Sequence, residues 1–166
     1  MNYLPIEALN PLFDLFEKTK GVQQMEIHHP EGDVLNHSLQ VLYRAFRETD
    51  DIDLILAAMF HDIGKIEESK GHEKIGVSML RKYDASEKTL WLVEHHMRVW
   101  YLILGEMKKL GKVKELIGHP WLPELILLAR WDKMGRNPNR IIYYDRNKII
   151  DKLKNKLEKH FNLDNA

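Results

Sequence analysis

The residues with chemistry to offer are histidines and aspartates set in apolar surroundings. His61-Asp62 closes the most hydrophobic stretch of the chain, Ile52 to Ile63. An imidazole and a carboxylate placed there cost free energy unless something compensates them. His37 lies three residues after Val34 and four before Val41, on a face whose neighbours pack inward. Asp132 follows Leu125-Ile126-Leu127-Leu128-Ala129, with Leu128 one turn behind it. Taken alone, each reads as an exposed helix end or as a satisfied core residue. Three helices that each deliver a His or Asp from an apolar stretch read as a metal site, because one cation offsets them all. Imidazole and carboxylate donors without thiolate suit Mn, Fe, Co, Ni, Zn or Mg. His72, His95 and His96 form a second group that would complete a dinuclear site. Adjacent helical residues diverge by about 100°, so one of His95 and His96 faces the site, unless both reach one ion. His28, His29, His119 and His160 lack this context and are given no metal role.

The elements that must position these residues are helical. Leu12, Leu15 and Phe16 mark a first helix stopped by Gly21. Asp33 is placed to cap a second, whose inner stripe is Val34, Leu35, Leu39, Leu42, Ala45 and Phe46. Ile52 to Ile63 predicts the central buried helix, ended by Gly64. His72 to Tyr83 and a helix capped by Ser86 follow, then one over Val99 to Leu110 ending at Gly111. Pro123 sits in the first turn of a helix over Glu124 to Met134. The last helix, Arg146 to Phe161, has Ile149, Ile150, Leu153, Leu157 and Phe161 on one side and lysines on the other, read as a solvated face. Arg140 to Tyr144 is the one short β-like run. The expected fold is an all-α helical bundle forming a single domain over residues 1–166.

Composition bounds the function classes. The 25 Lys+Arg balance the 25 Asp+Glu, which argues against a strongly basic nucleic-acid binder and allows a small anionic partner. The absence of Cys excludes a disulfide scaffold, a thiolate zinc site, a Cys nucleophile and an Fe–S cluster. Nine histidines are then the main supply of soft ligands. No stretch approaches the roughly 18–20 apolar residues of a membrane span. The N-terminus, Met1-Asn2-Tyr3-Leu4-Pro5, has no basic or apolar leader, so the expectation is cytoplasmic.

In order, His37, His61-Asp62, His72, His95-His96 and Asp132 resemble the pattern of the HD superfamily of metal-dependent phosphohydrolases. The local words are similar to those of the HD domain in bacterial CCA-adding tRNA nucleotidyltransferases. They are His29-Pro30-Glu31-Gly32-Asp33-Val34, then His37-Ser38-Leu39-Gln40-Val41-Leu42, then His61-Asp62-Ile63-Gly64-Lys65. Gly71-His72-Glu73-Lys74-Ile75-Gly76, Glu94-His95-His96-Met97-Arg98 and Leu127 to Arg136 continue the series. The resemblance spans about residues 28–136; a lone His-Asp pair is weak, whereas the ordered set is specific. Ile66 stands where the family commonly has Pro. A chain of 166 residues leaves no room for the nucleotidyltransferase and tRNA-binding parts, so a stand-alone HD domain is expected and CCA addition is not implied.

The resemblance implies hydrolysis of a phosphoester, as a phosphomonoesterase or phosphodiesterase acting on a nucleotide or related small phosphoester. It assigns His37, His61, Asp62 and Asp132 to a first metal. It suggests Asp62 as the bridge to a second metal held by His72 and His96, with His95 an addition. A bridging carboxylate keeps two cations about 3.5–4 Å apart, which suits in-line attack by water on phosphorus. Asp62 and Lys65 are the expected catalytic residues, and Lys65, Arg98 and Arg136 the expected phosphate contacts. Trp91 and Trp131 read as core packing in preference to base stacking. One or two divalent ions are expected, and the oligomeric state is open. The alternative is a non-catalytic HD module that binds a nucleotide or an RNA end.

Overall fold

The computed structural model describes residues 2–164, so Met1, Asn165 and Ala166 of the expected 1–166 span lie outside the described residues. A 3-10 turn (Ile6–Ala8) leads into α1 (Leu9–Glu17), α2 (Val34–Glu48) and α3 (Ile52–Phe60). A second 3-10 turn (Ile63–Ile66) precedes α4 (His72–Arg81), α5 (Glu87–His95) and α6 (Arg98–Ile103). The chain ends in α7 (Leu110–Ile117), α8 (Leu122–Met134) and α9 (Arg146–Asp164). The protein is all-α, as its periodicity requires.

α3 is the hub. It is apolar on every side, so it must be buried on every side, and all nine of its residues are. α2, α5, α8 and α9 pack around it, while α4 lies on the second 3-10 turn and on α5. The charged exception within α3, Asp53, is accommodated by neighbours. Burial pushes its carboxyl pKa up, and Ser86 Oγ donates to its Oδ1 at 2.6 Å. Side-chain caps fix where helices start. Asp33 accepts from Asn36 N, Asp51 from Asp53 N and Leu54 N, and Ser86 from Thr89 N.

Several expected boundaries shift. α3 stops at Phe60 and not Ile63, because Asp62 leaves helical geometry (φ −106°, ψ 11°) and the chain tightens into the 3-10 turn. α1 ends at Glu17, ahead of Gly21, and α4 ends at Arg81, short of Tyr83. The expected Val99 to Leu110 helix is two helices. It breaks after Ile103 near Gly105, which takes a positive φ of 71°, and Gly111 lies inside α7 instead of ending a helix. Arg140 to Tyr144 forms no strand among the described residues. The groups that a partner strand would engage are taken by α2 side chains. Asn36 Nδ2 donates to Arg140 O at 3.0 Å, Ile142 N donates to Asn36 Oδ1 at 2.9 Å, and Gln40 Nε2 donates to Arg140 O at 2.9 Å.

Gly64 sets how closely α4 approaches the hub. A Cβ built there would lie 2.0 Å from the carbonyl oxygen of His72 and 2.8 Å from the amide nitrogen of Gly76. The missing side chain lets the first turn of α4, and His72 with it, lie against the turn that carries Asp62.

Candidate metal centre

Three elements deliver four of the predicted ligands to one place. α2 contributes His37, the end of α3 contributes His61 and Asp62, and α8 contributes Asp132; all four are buried. His37 Nε2 lies 2.8 Å from Asp132 Oδ1, 3.3 Å from His61 Nε2 and 3.6 Å from Asp62 Oδ2. His61 Nε2 lies 3.2 Å from Asp62 Oδ2 and 3.5 Å from Asp132 Oδ1. A second group shares Asp62 through its other oxygen. His72 Nε2 is 3.0 Å and His96 Nε2 3.5 Å from Asp62 Oδ1, and the two ring nitrogens are 3.2 Å apart. One carboxylate therefore faces two donor sets, one on each oxygen.

The orientation of the rings decides what these donors want. A carbonyl oxygen only accepts, so each Nδ1 that meets one is the protonated nitrogen. His37 Nδ1 donates to Gly135 O, His61 Nδ1 to Ala58 O, His72 Nδ1 to Ser69 O and His96 Nδ1 to Val93 O, at 2.6–2.9 Å. In the neutral rings the Nε2 lone pairs then converge, nitrogen against nitrogen at 3.2–3.3 Å. Two lone pairs hold that distance only around a proton or a cation. The charges around the rings point the same way. Burial depresses both imidazoles, but Asp132 and Glu31 push His37 up to about 9, and Asp62 and Asp132 push His61 up to about 10. Burial would raise the Asp62 and Asp132 carboxyls, yet His61 above all holds both well below the ordinary range. The pocket demands positive charge, and its donor set suits a divalent ion.

Other predicted residues take distinct places. Lys65 Nζ donates to Gln24 Oε1 at 2.8 Å and to Asp62 Oδ2 at 3.3 Å. Arg136 donates to Asp132 O and His28 O, and its second terminal nitrogen lies 3.7 Å from Asp132 Oδ1. Arg98 lines a cavity shared with Asp62, Asp132 and Lys65. His95 joins neither donor group among the described residues. Its ring is stacked on Trp91 at 4.5 Å and its Nδ1 donates to Trp91 O, because the rotation that points His96 inward turns its neighbour away. Trp131 is core, and Trp91 is half-buried between the rings of His95 and His119.

Sequence reasoning missed Glu31 and set His29 aside. Glu31 is buried in the loop before α2, and its Oε1 accepts from His29 Nδ1 at 2.8 Å and from His37 Nδ1 at 2.9 Å. Burial works against the charged carboxylate, but these two bonds hold it down to about 2. Its Oε2 is buried with no partner. His29, Glu31 and His37 thus lie together, with Glu31 bridging the Nδ1 atoms of the two rings. The signal available was the word His29-Pro30-Glu31; no periodicity marks a loop carboxylate. A carboxylate behind a ligating imidazole fixes the ring and raises its basicity.

Above Asp62 and Asp132 opens a cavity of about 850 Å³, bordered by Lys65, His72, Met97, Tyr101 and Arg136. No helix of the described residues is long and apolar enough to cross a membrane.

Comparison with known proteins fits this geometry. The chain is 40% identical over 80 residues to a multifunctional CCA protein of Methylococcus capsulatus, a match covering 44% of this chain and 19% of that protein. It is 33% identical over 110 residues to a multifunctional CCA protein of Actinobacillus pleuropneumoniae serotype 5b, covering 55% and 27%. A similar protein of Teredinibacter turnerae shares 34% over 82 residues, covering 45% and 20%. The matched region is thus about a fifth to a quarter of the length of these relatives. The family model for the HD domain matches residues 34–137, which run from the start of α2, three residues before His37, to just past Asp132. With more than half of its residues in that match, the chain belongs to the HD domain family.

Proposed function

We propose that this chain is a metal-dependent phosphohydrolase that cleaves a small phosphoester, a nucleotide in particular. The observation that carries the reading is the division of Asp62, with Oδ2 among His37, His61 and Asp132 and Oδ1 between His72 and His96. His37, His61, Asp132 and Oδ2 of Asp62 would hold one divalent ion, and His72, His96 and Oδ1 of Asp62 a second. Such ions, when bound, supply Lewis acidity, making water a nucleophile near neutral pH and offsetting phosphoryl charge.

The chain's own residues do the rest. Backbone carbonyls from α3, α5, the turn before α4 and the end of α8 lock the four rings, so the donors need no reorganisation. Lys65 steadies Asp62 and presents a point charge at the cavity edge, where a non-bridging phosphoryl oxygen would sit. Arg136 braces Asp132 and borders the same space. The chain has no cysteine, so no thiol of its own can serve as the nucleophile.

The test pairs elemental analysis with a screen of 2′,3′-cyclic nucleotides, nucleoside monophosphates and p-nitrophenyl phosphates on protein loaded with Mn, Co, Ni or Fe. The reading expects bound metal, turnover, and loss of both in Asp62→Ala. Metal without turnover on any substrate, with nucleotide still bound, would make the chain a binding module instead.

A further inference from the structure

We infer that the substrate is a small nucleotide carrying at least one phosphoryl group besides the one attacked, and this rests on the hydrolytic reading above. The chain as a whole is neutral, yet its cations are not evenly spread. Eight of the 25 lysines and arginines line the cavity over the metal centre, against four of the 25 acids. Two of those acids, Asp62 and Asp132, belong to the donor groups. With ions bound, the cavity wall is strongly positive.

The cations fall into two sets. Lys65 and Arg136 contact the ligand carboxylates, Gln24 and the His28 carbonyl, beside the reacting position. They suffice for one phosphoryl group. Lys70, Lys74, Arg98, Lys108, Lys109 and Lys112 line the same cavity, and among the described residues their side chains make no ion pair or hydrogen bond. They come from three places: the start of α4, the start of α6 and the connection into α7. Outside the cavity, ion pairs join Arg81, Lys88, Arg146, Lys154 and Lys156 to carboxylates, so the cavity is distinguished by the concentration of its cations. Against these six cations the cavity wall sets Glu73 and Glu106, so a net positive charge remains that draws in an anion. A cavity of about 850 Å³ is large for a lone phosphate and within the range that encloses a drug-sized ligand. Met25, Met97, Tyr101 and Met107 offer apolar wall in the same cavity for the organic part of such a ligand.

Calorimetry on the Mn-loaded protein compares adenosine 5′-monophosphate with adenosine 3′,5′-bisphosphate. Wild type should bind the bisphosphate about tenfold more tightly, the scale of a phosphoryl group meeting several partly screened cations. The preference should fall towards one in Lys108→Glu/Lys109→Glu/Lys112→Glu and, from a different element, in Lys70→Glu/Lys74→Glu. All these side chains are exposed, and circular dichroism checks that the variants fold. Equal affinities in wild type, binding of neither ligand, or a preference untouched in both variants would overturn the inference. A tetranucleotide bound tenfold more tightly than the bisphosphate would also overturn it, in favour of a nucleic-acid end. A retained bisphosphate preference with no hydrolysis of any phosphoester supports the inference and sinks the hydrolytic reading alone.

Discussion

Replacing Gly64 with alanine should empty one half of the metal centre and spare the other. The new Cβ would stand 2.0 Å from His72 O, where ordinary contact begins at 3.4 Å, so the two backbones must part by about 1.4 Å. The nearby atoms are backbone, including Gly76 N at 2.8 Å, so no side-chain rotation relieves the clash. α4 therefore backs away from the turn that carries Asp62. That movement is large beside the 3.0 Å that separates His72 Nε2 from Asp62 Oδ1. His37, His61 and Asp132 sit on α2, α3 and α8 and do not ride on α4. Overpacking of this kind costs about 1–3 kcal/mol, and a chain of this size loses about 2–4 °C of Tm per kcal/mol. Elemental analysis of Gly64→Ala after loading with Mn and dialysis should show about half the wild-type metal, with a lowered Tm. Wild-type metal content with unchanged Tm would refute the reasoning, since α4 would then have somewhere to go.

Three further outcomes follow from particular contacts. Glu31→Gln removes the charge behind His37 while keeping its shape, and metal affinity should fall about 10–100-fold by calorimetry; an unchanged affinity would make Glu31 an onlooker. Without metal, and against the effect of burial, the Asp132 and Glu31 carboxylates hold the His37 pKa up to about 9 and Asp62 and Asp132 hold that of His61 up to about 10, above the ordinary 6.5. A raised histidine stabilises fully below its unfolded value, and that stability is lost as pH rises through the folded one. The Tm of stripped protein should therefore fall between about pH 6.5 and 10, and ions that replace these protons should abolish the fall. A Tm that climbs over that window without metal contradicts the assignment. Asp33→Ala removes the cap on Asn36 N and the bond from Gly21 N at 2.8 Å. It should cost about 1 kcal/mol in chemical denaturation with the metal count unchanged, and a loss of metal would mean that the start of α2 bears on His37 more directly than its packing indicates.

The residues that were legible in the sequence were those in conflict with their surroundings. His37, His61, Asp62 and Asp132 stand in apolar stretches, and the structure buries them against one another because that conflict has a single resolution. α3 was legible for the related reason that a helix apolar all round has one place to go. Features that depend on tertiary contact were not. Glu31 lies in a loop with no periodicity, and its role exists only because α2 swings His37 over it. The choice between His95 and His96 turns on a rotation of one residue along α5, which the mixed apolar pattern there does not settle. The β-like run Arg140 to Tyr144 has strand composition, but the Asn36 and Gln40 amides occupy the positions of a partner strand. The break between α6 and α7 had Gly105 as its main local mark, and the apolar residues on both sides concealed it.

The account turns on Asp62 serving two ions. Anomalous scattering from a crystal of the Mn-loaded protein tests this directly. Two peaks are predicted, one on either oxygen of Asp62. The first should lie about 2.0–2.2 Å from His37, His61 and Asp132, and the second equally close to His72 and His96. A map with a single peak or none at Asp62, or with metal held only by residues outside these two groups, would contradict it.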